Sequence, residues 1–194
     1  LIPDPNFEQA LIDLGYDTAP IDGSVLTANI SGVTNLDVQN KNIANLTGIE
    51  DFTALYELRC NSNQLTSLDV SNNTALSYLR CNSNQLTSLD VSNNTALSYL
   101  KCSSNQLTSL DLSNNTALTR LYCWDNQITT LDLSNKPNLV KFEGYSNQLQ
   151  SLDIRNSPVT FGYDGGNYTY FNILNNPDLS CIYVDDVSYA TAFL

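Results

Sequence analysis

The chain has 194 residues, 42% of them apolar, which is enough for one domain with a continuous core and too many for a disordered tail. A formal charge of −12, from 20 acidic against 8 basic residues, excludes the phosphate-neutralising surface of a nucleic-acid binder and attraction to an anionic membrane. There is no apolar run near the ~18 residues that would span a bilayer, and without His or Met the commonest general base and metal ligand are missing. Beginning at Leu1 rather than an initiator, the chain reads as a mature or trimmed segment whose targeting signal is gone.

Residues 1–32 predict an N-terminal helical cap. Asp4 is placed to cap a helix with Pro5 at its first position, Phe7, Leu11 and Leu14 fall on one face, and Gly15 can end it. From Val33 to residue 159 the sequence repeats. Cys60, Cys81, Cys102 and Cys123 stand 21 residues apart, and the block Cys60 to Arg80 recurs at Cys81 to Lys101 with 20 of 21 positions unchanged. Five units start at Leu55, Leu76, Leu97, Leu118 and Leu139. A sixth, one residue longer and without cysteine, runs from Val33 through Leu36, Val38, Ile43 and Leu46 to Phe52.

Within a unit the apolar residues Leu76, Leu79, Cys81, Leu86, Leu89, Val91 and Leu97 advance by 3, 2, 5, 3, 2 and 6, which neither a helix nor a long strand accommodates. Short extended pieces, Tyr78 to Cys81 and Ser88 to Val91, therefore alternate with turns, and about six coils stack as parallel strands ~4.8 Å apart. Asn63, Asn84, Asn105, Asn126 and Asn147 recur where a turn orphans backbone groups, and predict a ladder of side-chain hydrogen bonds. Residues 160–194 are expected to close the array as a cap segment. Phe161, Tyr163, Tyr168, Tyr170 and Phe171 around Asp164-Gly165-Gly166-Asn167 read there as an aromatic hairpin, either a lid or an aromatic ligand platform.

The repeat L-x-x-L-x-C-x-x-N-x-L-x-x-L-D-x-S-x-N resembles the leucine-rich repeat family, in its short nested 21-residue bacterial class, and Ile43 to Phe52 resembles the linking unit of internalin-like proteins. The segments Ile2 to Gly15 and Asn176 to Asp186 are similar to the caps of secreted leucine-rich proteins of Bacteroidetes. That resemblance implies a leucine-rich repeat solenoid of short parallel strands with few helices and a cap at each end, export, and display at the bacterial cell surface, often through a C-terminal sorting domain. It also implies that Cys181 could pair with a cysteine beyond Leu194.

Repeated chemistry invites site proposals, most of which fail on geometry. The four cysteines share an inward position that Val38 and Gly144 fill elsewhere. They stack in a straight file unsuited to tetrahedral zinc or to disulfides between adjacent strands, so buried thiols are expected. The file Asp69, Asp90, Asp111, Asp132 and Asp153 lacks the glycine-rich turn and additional oxygens of a calcium solenoid, which leaves a solvated ladder as the expectation. Thr66, Thr87, Thr108 and Thr129 form a single file, broken by Gln150, where an ice-binding surface uses paired files. No nucleophile elbow, phosphate loop or dinucleotide fingerprint exists, so no enzyme, cofactor or metal is expected. A glycosidase carboxylate pair is the one catalytic reading that counting does not remove.

What the repeat leaves free is the outward side of the first strand, concave by resemblance to the family. It carries Glu57 and Arg59, Tyr78 and Arg80, Tyr99 and Lys101, Arg120 and Tyr122 with Trp124 and Asp125, then Lys141, Glu143 and Tyr145. Five of the eight basic residues, four of eleven Tyr and the only Trp collect there, a composition typical of binding hot spots. Strand propensity alone is the competing explanation. The expected site is Tyr78, Arg80, Tyr99, Lys101, Arg120, Tyr122, Trp124, Lys141 and Tyr145. The expected function is a monomeric, non-catalytic secreted recognition module for an extracellular protein, with a glycan as the runner-up and ice or calcium binding as minor alternatives.

Overall fold

The computed structural model describes residues 1–158 and 171–185. Helix α1 (Pro5–Asp13) is followed by a single turn, α2 (Thr27–Ile30), and then by β1 (Asn35–Asp37). A 3-10 turn (Ile49–Asp51) precedes β2 (Glu57–Arg59), β3 (Tyr78–Arg80), β4 (Tyr99–Lys101), β5 (Arg120–Tyr122), β6 (Thr130–Asp132), β7 (Lys141–Glu143), β8 (Ser151–Asp153), β9 (Phe171–Asn172) and β10 (Cys181–Tyr183). Among the described residues all pairings are parallel. One sheet runs β1-β2-β3-β4-β5-β7-β9, one strand per coil, and a smaller one joins β6, β8 and β10 on the second half of the last coils. Seven strands at ~4.8 Å give the larger sheet a length of roughly 29 Å.

Apart from the two-residue β9, each strand is short because its three residues alternate once: the middle one faces in and its neighbours face out. Leu36, Leu58, Leu79, Leu100, Leu121 and Phe142 form the inward file, all essentially without solvent exposure, and Cys60, Cys81, Cys102 and Cys123 form the next file as buried free thiols. After the strand the chain must reverse. It does so through a left-handed residue, Ser62, Ser83, Ser104, Asp125, Ser146 and Asn175, with φ between 51 and 57° where glycine is the usual choice.

The predicted asparagine ladder forms. Asn84 Nδ2 donates to the carbonyls of Cys60 at 3.1 Å and Cys81 at 3.0 Å, while its Oδ1 accepts from Leu65 N at 3.0 Å, so one side chain ties its own turn to the preceding coil. Asn63, Asn105, Asn126 and Asn147 repeat the pattern. On the other half of the coil Asn73, Asn94 and Asn115 donate to two carbonyls each. At the next such position stands Lys136, its Nζ 3.4 Å from Ser134 O, where burial lowers its pKa.

The stack extends past residue 159. Phe171 pairs with Phe142 and Asn176 takes the ladder role on Gly144, Ile173 and Leu149, so a further coil lies within the stretch expected to be cap alone. Its register was hidden by an offset of 171 − 142 = 29 residues instead of 21. Of the aromatic hairpin expected at Phe161 to Phe171, all but Phe171 lies outside the described residues, and Phe171 is a strand residue.

At the other end, Asp4 Oδ1 accepts from Asn6 N and Phe7 N while Oδ2 accepts from Ala44 N and Asn45 N, so one buried carboxylate both caps α1 and fastens it to the first coil. Phe7 packs on Phe52 with ring centroids 6.4 Å apart. Leu14, expected on the buried face, is 44% exposed because the helix ends at Asp13 and Leu14 is its C-cap; it borders an open groove shared with Leu36, Asp37 and Arg59. Gly48, at φ 103°, lies where a Cβ would collide with the Ile2 side chain and the Leu1 carbonyl, so the linking unit needs glycine there.

Two changes test this account. Glu8 is fully buried, and its two carboxylate oxygens accept from Asp22 N at 2.6 Å and Gly23 N at 2.8 Å, so Glu8→Ala leaves two part-buried donors without their partner and opens a void under the cap. We expect a loss of ~2 to 4 kcal/mol in denaturant unfolding. Gly144 replaces the repeat cysteine because the Phe142 ring fills that space, and a Cβ at Gly144 would overlap it. Gly144→Cys should therefore destabilise by ~1 to 3 kcal/mol, and adding Phe142→Leu, which restores the pair used by the other coils, should recover most of that loss in a double-mutant cycle.

Candidate functional site

On the outward face of the larger sheet, register fixes which side chains meet. Glu57, Tyr78, Tyr99, Arg120 and Lys141 form one file, and Arg59, Arg80, Lys101, Tyr122 and Glu143 form the other. Aromatic rings occupy the first file at Tyr78 and Tyr99 and cross to the second at Tyr122; the cations cross the opposite way between β4 and β5. All nine expected residues share this face. Eight are half-buried and Arg120 is exposed.

Their partial burial comes from contact with one another. Tyr78 and Tyr99 stack with centroids 4.0 Å apart, and Tyr122 follows 5.4 Å from Tyr99. Arg80 lies beside this stacked pair, 5.2 Å from the Tyr78 ring and 5.4 Å from the Tyr99 ring, and its Nε donates to the Tyr78 hydroxyl at 2.6 Å. Trp124 and Tyr145 stack nearly parallel at 5.3 Å, and Lys101 of the preceding coil covers Trp124 at 5.9 Å. Lys141 sits 5.3 Å from the Tyr122 ring. These aromatic and cation–π contacts, each worth ~0.5 to 1.5 kcal/mol, hold the side chains in fixed positions along the solenoid axis. Burial, and next the Tyr78 hydroxyl, raise the Tyr99 pKa, so that phenol stays neutral.

Charge is distributed unevenly along this face. At one end Arg59 pairs with Glu57 at 2.7 Å and Asp37 at 3.7 Å; toward the other Lys141 pairs with Glu143 at 3.0 Å. Sequence reasoning missed the role of Asp37, although its position two residues after Asn35 in the linking unit marks it as an outward strand residue.

The other repeated files have structural roles. Asp69, Asp90, Asp111 and Asp132 each accept from the backbone N–H of the serine two residues on, and Asp153 accepts from Arg155. Hydrogen bonds with Ser71, Ser92 and Ser113 lower the pKa of Asp69, Asp90 and Asp111. Among the described residues no group of three or more potential metal ligands assembles. No described helix is long and apolar enough to cross a membrane.

A coil of about 21 residues, one short parallel strand per coil, an inward leucine file and an asparagine ladder together define a leucine-rich repeat solenoid. The fold is that of a leucine-rich repeat protein, and part of the chain is similar to a bacterial internalin. No family model matches the chain. Internalin J of Listeria monocytogenes serotype 4b (strain F2365) is 39% identical over 71 residues, which is 37% of this chain and 8% of that protein, so the chain spans under a tenth of the curated relative it matches. Of solved structures, an internalin (inlF) from L. monocytogenes str. 4b F2365 aligns with a TM-score of 0.57 at 20% identity, covering 97% of this chain and 72% of that one. A leucine-rich repeat protein of Leptospira interrogans aligns with a TM-score of 0.59 at 19% identity, covering 82% and 45%.

Burial pushes the Cys60 and Cys102 thiols up to about 12 and drives Cys81 and Cys123 well above their usual value. Unfolded thiols ionise near 9.0, so between about 9 and 12 the unfolded chain binds fewer protons than the folded one and stability falls as pH rises. Each thiol contributes up to ~1.4 kcal/mol per pH unit to that decline. Val38 shows that valine fits the position. We expect Cys60→Val/Cys102→Val to flatten the fall in unfolding free energy measured from pH 9 to 11, and equal slopes in the two proteins would contradict this account.

Proposed function

We propose that this chain is a non-catalytic recognition module, secreted or displayed at a bacterial surface, that binds an extracellular protein through the concave strand face. A leucine-rich repeat solenoid of the internalin-like kind is consistent with protein interaction. The observation that carries the assignment to this face is the stacked strip of Tyr78, Tyr99, Tyr122, Trp124 and Tyr145, interleaved with Arg80, Lys101 and Lys141. Pre-positioned aromatic and arginine side chains lose little rotamer freedom on binding, which is what hot spots require.

The same contacts favour a protein over a glycan. A sugar ring stacks on an open aromatic face, whereas Trp124 has Lys101 on one side and Tyr145 on the other, and Tyr99 lies between Tyr78 and Tyr122. The rings present edges and hydroxyls, which suit the mixed surface of a protein partner.

A parallel screen against extracellular proteins and a polysaccharide panel tests the reading. A protein ligand is the expected outcome, with Trp124→Ala/Tyr122→Ala weakening it by at least ~30-fold, the equivalent of 2 kcal/mol, while Asp90→Ala on the other half of the coil leaves it unchanged. Saturable binding to glycans alone, or affinity that survives the double variant, overturns it.

A further inference from the structure

The five cations of the strand face are not equivalent. Arg59 is neutralised by Glu57 and Asp37, and Lys141 by Glu143. The side chains of Arg80 and Lys101 contact only rings and a phenol, and the Arg120 side chain makes no hydrogen bond, ion pair or ring contact among the described residues. The outward residues of β3 and β4, Tyr78, Arg80, Tyr99 and Lys101, include no acid. A chain of net charge −12 thus holds three uncompensated cations together at the middle of one face, bounded on both sides by acid–base pairs.

Their spacing is fixed by the strand register. Arg80 and Lys101 are register partners on adjacent strands, ~4.8 Å apart at Cα. Arg120 lies one strand further and two residues across, roughly 8 Å from Lys101 and roughly 12 Å from Arg80. In an extended segment, side chains on one side recur every ~6.7 Å, so three alternate residues span ~13 Å. We propose, resting on the strand-face reading above, that the protein partner presents an extended acidic segment, with carboxylates at alternate positions, laid diagonally over β3, β4 and β5 onto Arg80, Lys101 and Arg120. The acids at either end, Asp37, Glu57 and Glu143 with Asp125 beside Trp124, repel an acidic stretch that slips out of this register, so they set its placement.

The probe is a fluorescent peptide of six Glu-Thr repeats, with a Lys-Thr repeat peptide and a sulfated polysaccharide as comparison arms. Saturable binding of the Glu-Thr peptide that weakens with salt is expected. It should fall at least tenfold in Arg80→Gln/Lys101→Gln/Arg120→Gln and at least threefold in Arg120→Gln alone, a change that disturbs no stacked ring. Arg155→Gln, an exposed arginine paired with Asp153 outside this face, should have no effect. Equal binding of the Lys-Thr peptide, indifference to the triple variant, or triple-dependent binding of the polysaccharide without the peptide each overturns the inference. A protein ligand lost in Trp124→Ala/Tyr122→Ala but retained by the triple variant would overturn the acidic segment alone and leave the strand-face reading standing; a ligand retained by both variants removes both.

Discussion

The structure depends on a hydrogen-bonding constraint. A coil of 21 residues with a three-residue strand cannot satisfy its own backbone, because the turns leave carbonyl and amide groups pointing at a dry interior. The asparagine side chain solves this by supplying two donors and an acceptor at the same point in each coil. Asn84 reaches Cys60 and Cys81 through Nδ2 and Leu65 through Oδ1, so the turn of one coil is closed only when the coil before it is present. Stacking is therefore built into local structure, and the parallel register of the sheet follows from it.

Seen this way, the variation among coils is what carries information. Where the inward leucine becomes Phe142, the neighbouring cysteine becomes Gly144 and interior volume is kept. Where an outward tyrosine becomes Arg120, the next outward position becomes Tyr122, and the aromatic and cationic files exchange places without breaking the stack. Inward changes preserve packing. Outward changes alter the pattern of charge and ring edges that a partner meets.

The repeat, the parallel stacking, the buried thiols and the asparagine ladder were legible in the sequence because each follows from spacing alone. So was the sharing of one face by Tyr78, Arg80, Trp124 and the rest, since a strand alternates. Three things were not. The coil at Phe171 escaped notice because its offset from Phe142 is 29 residues, and periodicity reasoning looks for a constant step. Glu8 reads as an ordinary charged helix residue, and only the tertiary position of the Asp22-Gly23 turn makes it a buried acceptor. The mutual stacking of the outward rings depends on rotamers and cross-coil distances, which composition does not encode.

The near-identity of two successive units has a consequence for how such a surface can change. Cys60 to Arg80 and Cys81 to Lys101 differ at one position in 21, so the junction each makes with its neighbour is interchangeable. Removing one whole unit, or copying it, would leave every inward contact and every asparagine bond with a partner of the same kind. It would nonetheless move Arg120 and Trp124 one strand spacing, ~4.8 Å, toward or away from Glu57 and Arg59. The array thus behaves as a slide rule with a fixed tooth, whose two marked ends can be reset in discrete steps without recutting the scale.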